Sequence, residues 1–268
     1  MIAALRTEYR KLVTTRLWWV LLLVMVVYMA FLAAVMAWTF TQVPTTSPDG
    51  TAVPVTDEQI VRAVYTVAVS LGYVFPLIVG AMGMTGEYSH LTITPTLLAE
   101  PRRDVVLGAK LVSSALIGVL FGLAGTLAAT GTGAGVLAML GKSTGLGSAG
   151  TWRTLGLSVV ALAVWAVVGV ALATVVTNQV AVLVIALAFT QFVEPILRTV
   201  LVLTSWGGGI TRFLPGAAGE AISGGSLYTA LGLGGNLLAW WQGLLVLSGY
   251  ALVLAVIGRL TTLRQDVT

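Results

Sequence analysis

Residues 17–40 read LWWVLLLVMVVYMAFLAAVMAWTF, an uncharged apolar run long enough to decide the class of fold. About 20 such residues in a helix span the hydrocarbon of a bilayer. A signal-peptide core is shorter, about 7–15 residues, and ends in a small-residue cleavage pattern that is missing here, so the run reads as a retained helix. Five similar stretches follow at 63–84, 105–130, 155–176, 180–203 and 237–257. Short alternating segments of the kind that build a strand barrel are not visible. The expected fold is therefore an all-α polytopic membrane protein with six transmembrane helices in one domain, residues 1–268.

Composition agrees. Of 268 residues 57% are apolar and only 9% charged, with a mean hydropathy of +0.98. Soluble domains carry about 25% charged residues. With no cysteine, disulfides, thiolate metal sites and cysteine nucleophiles are excluded. A single histidine, His90, argues against multi-histidine metal sites and proton relays.

An even number of spans puts both termini on one side. If that side is the cytoplasm, nine basic residues lie inside (Arg6, Arg10, Lys11, Arg16, Arg102, Arg103, Lys110, Arg259, Arg264) and five outside (Arg62, Lys142, Arg153, Arg198, Arg212). The ten acidic residues divide evenly, so the inner side carries the whole net charge of +4, as the positive-inside rule requires. The basic pI is thus a topology signal and not a sign of nucleic-acid binding. Trp18 and Trp19 sit at the inner boundary, and Trp38, Trp152, Trp206, Trp240 and Trp241 near the outer one, where amphipathic rings collect. Trp165, deep in the fourth span, is expected to pack on a neighbouring helix. The expected location is the cell membrane.

Residues 1–16 place Ile2, Leu5, Tyr9 and Leu12 on one stripe and Arg6, Arg10 and Lys11 off it. This reads either as a helix lying on the cytoplasmic headgroups with its cations facing anionic lipid, or as a disordered basic leader. Residues 41–58 are a polar connector, and 177–179 a tight turn. Residues 205–236 are glycine-rich yet apolar in patches, which suggests short re-entrant helices before the sixth span. No repeat relates the two halves, although Pro76 and Pro195 each interrupt a span.

Several catalytic motifs fail. Gly141-Lys142-Ser143 resembles the end of a phosphate-binding loop, but Val136 stands where its first glycine belongs. Residues 145–150 match the dinucleotide fingerprint literally and lack its strand, helix and acidic residue, so they read as a flexible loop. No Gly-x-Ser-x-Gly elbow occurs. Glu194-x-x-x-Arg198 lacks the companions an intramembrane protease needs. The chain is not expected to be an enzyme.

The informative connection is residues 86–103, GEYSHLTITPTLLAEPRR. Thr94 is expected to N-cap a short helix with Pro95 at its first position, and Pro101 to open the third span, with Asp104 in its first turn. That short helix would present Thr96, Leu97 and Leu98 on a cytoplasmic face. This is either a docking surface or a surface helix packed on its own bundle.

With the amphipathic leader and Trp-rich first span, the order Gly-Glu-Tyr, Thr-Ile, Thr-Leu-Leu, Pro-Arg-Arg and Ala-Lys-Leu resembles the permease subunits of type-2 (type V) ATP-binding-cassette exporters. In that family a Gly-Glu, an aromatic or basic residue, and Gly-Thr-Leu-x-x-Leu-Leu-x-x-Pro precede a basic pair and a lysine. Specific residues correspond only from about 83 to 111. Two depart from the pattern: Leu91, where many members have glycine, and Pro95. The resemblance places an ATPase-docking coupling helix on 92–99, with Thr92, Thr94, Thr96, Leu97 and Leu98. It puts the acidic residue on Glu87, followed by Tyr88, and the basic flank on Arg102, Arg103 and Lys110. It implies a separate cytoplasmic ATPase subunit that holds ATP and Mg, a second permease protomer, and no cofactor on this chain. The apolar spans mildly favour a lipophilic substrate such as a drug, antibiotic, lipid or peptide.

Candidate transport-path residues are Gln191, Glu194 and Arg198 in the fifth span, because ionisable groups inside a membrane usually face the bundle interior. Glu194 precedes Arg198 by four, the favourable order for a helical ion pair, so a purely structural pair is the competing reading. Pro195 removes the donor for the Gln191 carbonyl and favours a kink. Gly118-x-x-x-Gly122 permits close helix contact or arises by chance in a chain with 31 glycines. An ion-coupled carrier and a non-transporting anchor subunit remain the rival functions.

Overall fold

The computed structural model describes Thr7, Glu8, Lys11 and residues 15–42, 56–202, 204, 207–225, 227–230 and 237–262. Most of the interfacial stripe read in residues 1–16 lies outside these residues, though Thr7, Glu8 and Lys11 are helical. The described elements are all helical: α1 (Leu17–Gln42), α2 (Asp57–Tyr65), α3 (Val67–Ser70), α4 (Val74–Ser89), α5 (Ile93–Ala99), α6 (Arg103–Met139), α7 (Ala149–Val175) and α8 (Gln179–Ala188). A π-helical turn at Phe189–Val193 then leads into α9 (Glu194–Val202), α10 (Gly208–Thr211), α11 (Pro215–Ser223), α12 (Leu227–Ala230) and α13 (Trp240–Leu260). Among the described residues, five helices are long and apolar enough to cross a membrane: α1, α6, α7, the continuous Gln179–Leu201 stretch, and α13.

The second stretch is not one helix but three, α2, α3 and α4. Pro76 accounts for the break between α3 and α4: its ring clashes with the carbonyl four residues earlier, at Gly72, and it has no N–H to donate, while the break between α2 and α3 falls at Thr66. The carbonyl of Gly72 instead accepts the N–H of Phe75, at 3.1 Å. The three pieces nevertheless follow α6 along its length. Val64 and Tyr65 lie against Gly133, Ala68 against Gly125, and Glu87 against Lys110. The stretch of α6 from Lys110 to Gly133 rises ~34 Å at 1.5 Å per residue.

Three further boundaries differ from the sequence reading. Helix α6 continues past Thr130 to Met139, because Gly133 packs on Val64 and Tyr65 instead of opening a loop. Residues 149 and 150 are not loop: α7 starts at Ala149, and the Ser148 hydroxyl caps it by accepting the N–H of Gly150. Helix α6 itself begins at Arg103, two residues after Pro101.

Helix α7 is central and packs against α4, α6, α11 and α13. Two glycine pairs bring its backbone close to its neighbours. A Cβ on Gly80 would strike the Ala166 carbonyl, and one on Gly169 the Leu77 carbonyl. Gly118 and Gly122 do the same on α6: a Cβ at Gly118 would meet the Ala163 Cα at 2.7 Å, and one at Gly122 the Val159 Cα at 3.0 Å. The Gly118-x-x-x-Gly122 spacing is therefore a true helix contact. Trp165 fills the centre, 2% exposed, stacked on Tyr73, the N-cap residue of α4, with ring centroids 4.4 Å apart.

Candidate functional site

Where α4 meets α6, four charged side chains converge. Lys110, 2% exposed, donates to Glu87 Oε1 at 2.7 Å, Glu8 Oε2 at 3.1 Å and the Gly83 carbonyl at 3.0 Å. These acceptors use all three ammonium protons. Lys11 donates to Glu87 Oε1, to Glu8 Oε1 at 3.1 Å and to Thr96 Oγ1 at 3.4 Å. Two lysines and two glutamates make the cluster neutral, which is the condition for burying it. Burial works against the Lys11 charge, but the hydrogen bond and field of Glu87, with those of Glu8, outweigh it and hold the Lys11 pKa above its ordinary value. Lys11 thus turns to Glu87 and Glu8 rather than to lipid headgroups. Glu8 and Lys11 were not among the sequence-derived site residues. Their spacing of three on an amphipathic segment reads as a solvated face, and nothing local reveals partners 76 and 102 residues away.

The same cluster fixes α5. Helix α4 ends in a Schellman turn: the N–H of Thr92 bonds the Glu87 carbonyl at 2.9 Å and that of Leu91 bonds the Tyr88 carbonyl at 3.3 Å. Such a turn needs a left-handed residue between, and Leu91 supplies it with φ 55°. It is the one non-glycine residue with positive φ among the described residues. This is the position at which the family resemblance has glycine. Helix α5 then starts at Ile93, earlier than expected. Thr92 occupies the cap position without a side-chain capping bond, and Thr94 lies inside the first turn. Pro95 is tolerated there because first-turn N–H groups have no intrahelical partner.

Ile93 is buried under α5, while Thr96 is half-buried and turned to Lys11 instead of outward. The face left open carries Leu98, 78% exposed, beside Leu91, 81% exposed, with Thr92, Thr94 and Pro95. The Leu97 side chain lies outside the described residues. Arg102 pairs with Glu100 at 2.9 Å in solvent, which draws the Glu100 carboxyl below its ordinary range. Arg103 opens α6 and is half-buried, and Asp104 beside it binds Arg259 of α13 at 2.6 Å. Tyr88 and Ser89 line an open cavity of about 450 Å³ with Thr177, Asn178, Gln179 and Val180.

A second ion cluster ties the Gln179–Leu201 helix to α11. Glu194 Oε1 accepts two N–H groups of Arg198, at 2.7 and 3.1 Å, and the backbone N–H of Ala217 at 3.1 Å; Oε2 accepts that of Gly216 at 3.0 Å. Arg198 also donates to Glu220 Oε2 at 2.8 Å and stacks over the Tyr228 ring at 4.6 Å. Glu194, Arg198 and Glu220 are 1%, 7% and 2% exposed. The carboxylate of Glu194 serves as the N-terminal cap of α11, where the helix dipole favours a negative charge. Gln191 is exposed and takes no part. Glu220 was not among the candidates. Its flanking run of Gly and Ala reads as a small-residue segment, and the one available signal is an acid in an apolar patch that needs a cation.

Helix α11 is buried from Gly216 to Ser223, with Gly219 facing the Trp165 indole. At that same end, a cavity of about 250 Å³ lies between the first turns of α2 and α7. Its charges are already matched, Glu58 by Arg62 at 2.9 Å and Asp57 by Lys142 at 3.8 Å. Gly141-Lys142-Ser143 is no phosphate loop but the Schellman end of α6, with Gly141 at φ 68°. No protein-family model matches the chain, and no curated protein matches it.

Proposed function

We propose that this chain is the membrane-spanning subunit of an ATP-driven exporter, with a separate ATPase docking on α5. One observation carries the reading. A short helix between α4 and the long apolar α6 is anchored from behind by the Glu8–Lys11–Glu87–Lys110 cluster and offers Leu91 and Leu98 to solvent. A push on α5 passes through Thr96 to Lys11 and through Glu87 and Lys110 into α4 and α6, so the helix is a lever and not a slack loop. Exposed apolar groups beside charge suit a protein partner. The resemblance of residues 83–111 to type V permeases names that partner as the ATPase, which would hold ATP and Mg.

In this reading the segment 57–89 is the sixth pass, broken by Pro76, and both termini share the cytoplasmic side with α5. Helices α10 to α12 fold back into the outer leaflet. A second permease protomer completes a path for a lipophilic substrate. The full engagement of Glu194 by Arg198 and by two backbone N–H groups favours a structural pair over an ion-coupled carrier.

The test is co-purification in mild detergent with the ATPases of the source cell, comparing the native chain with Leu91→Asp/Leu98→Asp. The expected result is an ATPase retained by the native chain and lost from the variant. Retention by both moves the contact elsewhere, and absence from both removes the exporter reading.

A further inference from the structure

The fifth span presents Val182, Ala186, Thr190, Glu194 and Arg198 to the interior, a buried stripe with a period of four. An unbroken α-helix cannot do this. At 3.6 residues per turn, Arg198 would lie ~160° around the axis from Val182, and one extra residue absorbed in a π turn takes back ~100°. The π turn at Phe189–Val193 is that correction.

It also leaves a carbonyl without its donor. In the π register Glu194 N–H bonds the Phe189 carbonyl, so the next donor should be residue 195, facing Thr190. Residue 195 is proline and has none. The hydroxyl of Tyr73 donates to the Thr190 carbonyl instead, at 3.1 Å. The freed carbonyl is thus that of Thr190, satisfied from another helix.

The two halves of the span are held differently. Helix α8 is seated by apolar contact: Val182 is buried with Ala81 and Met84 of α4 and Val170 and Ala173 of α7. Among the described side chains of α9 the buried ones are Glu194 and Arg198, and both bind α11.

We infer that the fifth span is a jointed helix, in which α8 moves with α4 and α7, α9 moves with α11, and the Tyr73 hydroxyl pins the π turn between them. Swinging α9 and α11 as one body breaks, at the joint itself, a single side-chain hydrogen bond rather than a helical ladder, and slides α11 over its packing on α7 and α13. The joint stands independently of the ATPase reading. Sited against the buried helix α11, it would open or close that end of the bundle.

Because the chain has no cysteine, spin labels report only where introduced. Pairs at Val184/Leu116, Ile196/Leu116 and Ile196/Phe213, all on exposed positions, are measured by pulsed electron resonance on the full chain in nanodiscs. Tyr73→Phe keeps the stack on Trp165 and is expected to broaden the Ile196/Leu116 distances while leaving the other two pairs unchanged. Arg198→Gln is expected to broaden Ile196/Phe213. If Val184/Leu116 broadens equally with Tyr73→Phe, the span is one rod and the joint is refuted. If Ile196/Phe213 broadens with Tyr73→Phe, or Ile196/Leu116 does not move, the pin or the paired body is refuted. Should Arg198→Gln not accumulate, hydrogen exchange on the native chain decides. Amides of 190–196 should exchange about tenfold faster than those of 180–187, the equivalent of one hydrogen bond, and equal protection would overturn the joint.

Discussion

Leu91 and Gly141 do the same work at two helix ends, and only one of them suits it. Both sit in the left-handed region of a Schellman turn, at φ 55° and 68°. A side chain there costs roughly 1–2 kcal/mol, and glycine offsets part of its advantage through the freedom it loses on folding. Leu91→Gly should therefore be neutral or stabilising by up to about 1 kcal/mol, whereas Leu91→Val, branched at Cβ, should destabilise by about 1–2 kcal/mol. Thermal unfolding of the detergent-solubilised chain distinguishes them. That Leu91 is nonetheless 81% exposed at the edge of α5 suits a side chain kept for contact, not for packing within the chain. A second prediction concerns Lys110. Lys110→Met leaves Glu8 and Glu87 with Lys11 as their one remaining cation in the cluster and should destabilise by about 3–5 kcal/mol. Adding Glu87→Gln to it should recover part of that loss. A double-mutant cycle on the unfolding midpoint measures the coupling, and strictly additive effects would mean that the pair is not formed.

At the scale of elements, the helix contacts rest on glycines that differ sharply from their neighbours. Gly80 and Gly83 lie one turn apart on α4. A Cβ on Gly80 strikes the Ala166 carbonyl, and one on Gly83 meets nothing within 4 Å. Gly80→Ala should push α4 off α7 and destabilise by about 1–3 kcal/mol, while Gly83→Ala should stabilise by about 0.5–1 kcal/mol through helix propensity alone. Equal effects in thermal unfolding would deny the close crossing. The attachment of the N-terminal segment is a matter of charge. Because the Lys11 pKa is raised on folding, its contribution is complete below the ordinary value of 10.5 and is lost as pH rises through the higher folded value. A fluorophore at Thr15 should keep constant mobility from neutral pH to about 10 and loosen only above it, a transition that Lys11→Met removes. Loosening between neutral pH and about 9, where neither lysine nor carboxylate ordinarily changes charge, would place the attachment elsewhere.

For the whole molecule, the sequence was legible where one residue type dominates a stretch and opaque where distant residues decide. Residues 17–40, 180–203 and 237–257 correspond to α1, the Gln179–Leu201 stretch and α13 within a few residues, because long apolar runs have one stable form in lipid, and the end of 155–176 matches that of α7. Gly131, Gly133 and Gly135 look like the end of a helix, yet α6 runs through them because Val64 and Tyr65 pack there. The candidate site was half legible. Glu194 and Arg198 stand out as charges inside an apolar run and Glu87 and Lys110 come from the family resemblance, but Glu8, Lys11 and Glu220 acquire their meaning only from partners far along the chain. The number of passes turns on α2 to α4, a segment without one helix long enough to cross alone. Contacts with α6 carry it over ~34 Å, about the hydrocarbon thickness. If it crosses, single cysteines at Thr15, Leu98 and Thr261 share one side and Met139 lies opposite. If it does not, Leu98 lies opposite Thr15, Met139 joins Thr15, and the termini are separated. Labelling intact cells with a membrane-impermeant maleimide reads this directly, since the chain has no cysteine of its own. The expected pattern is protection at Thr15, Leu98 and Thr261 with labelling at Met139. Labelling at Leu98 would turn α5 away from any cytoplasmic ATPase and so remove the exporter reading along with the sixth pass.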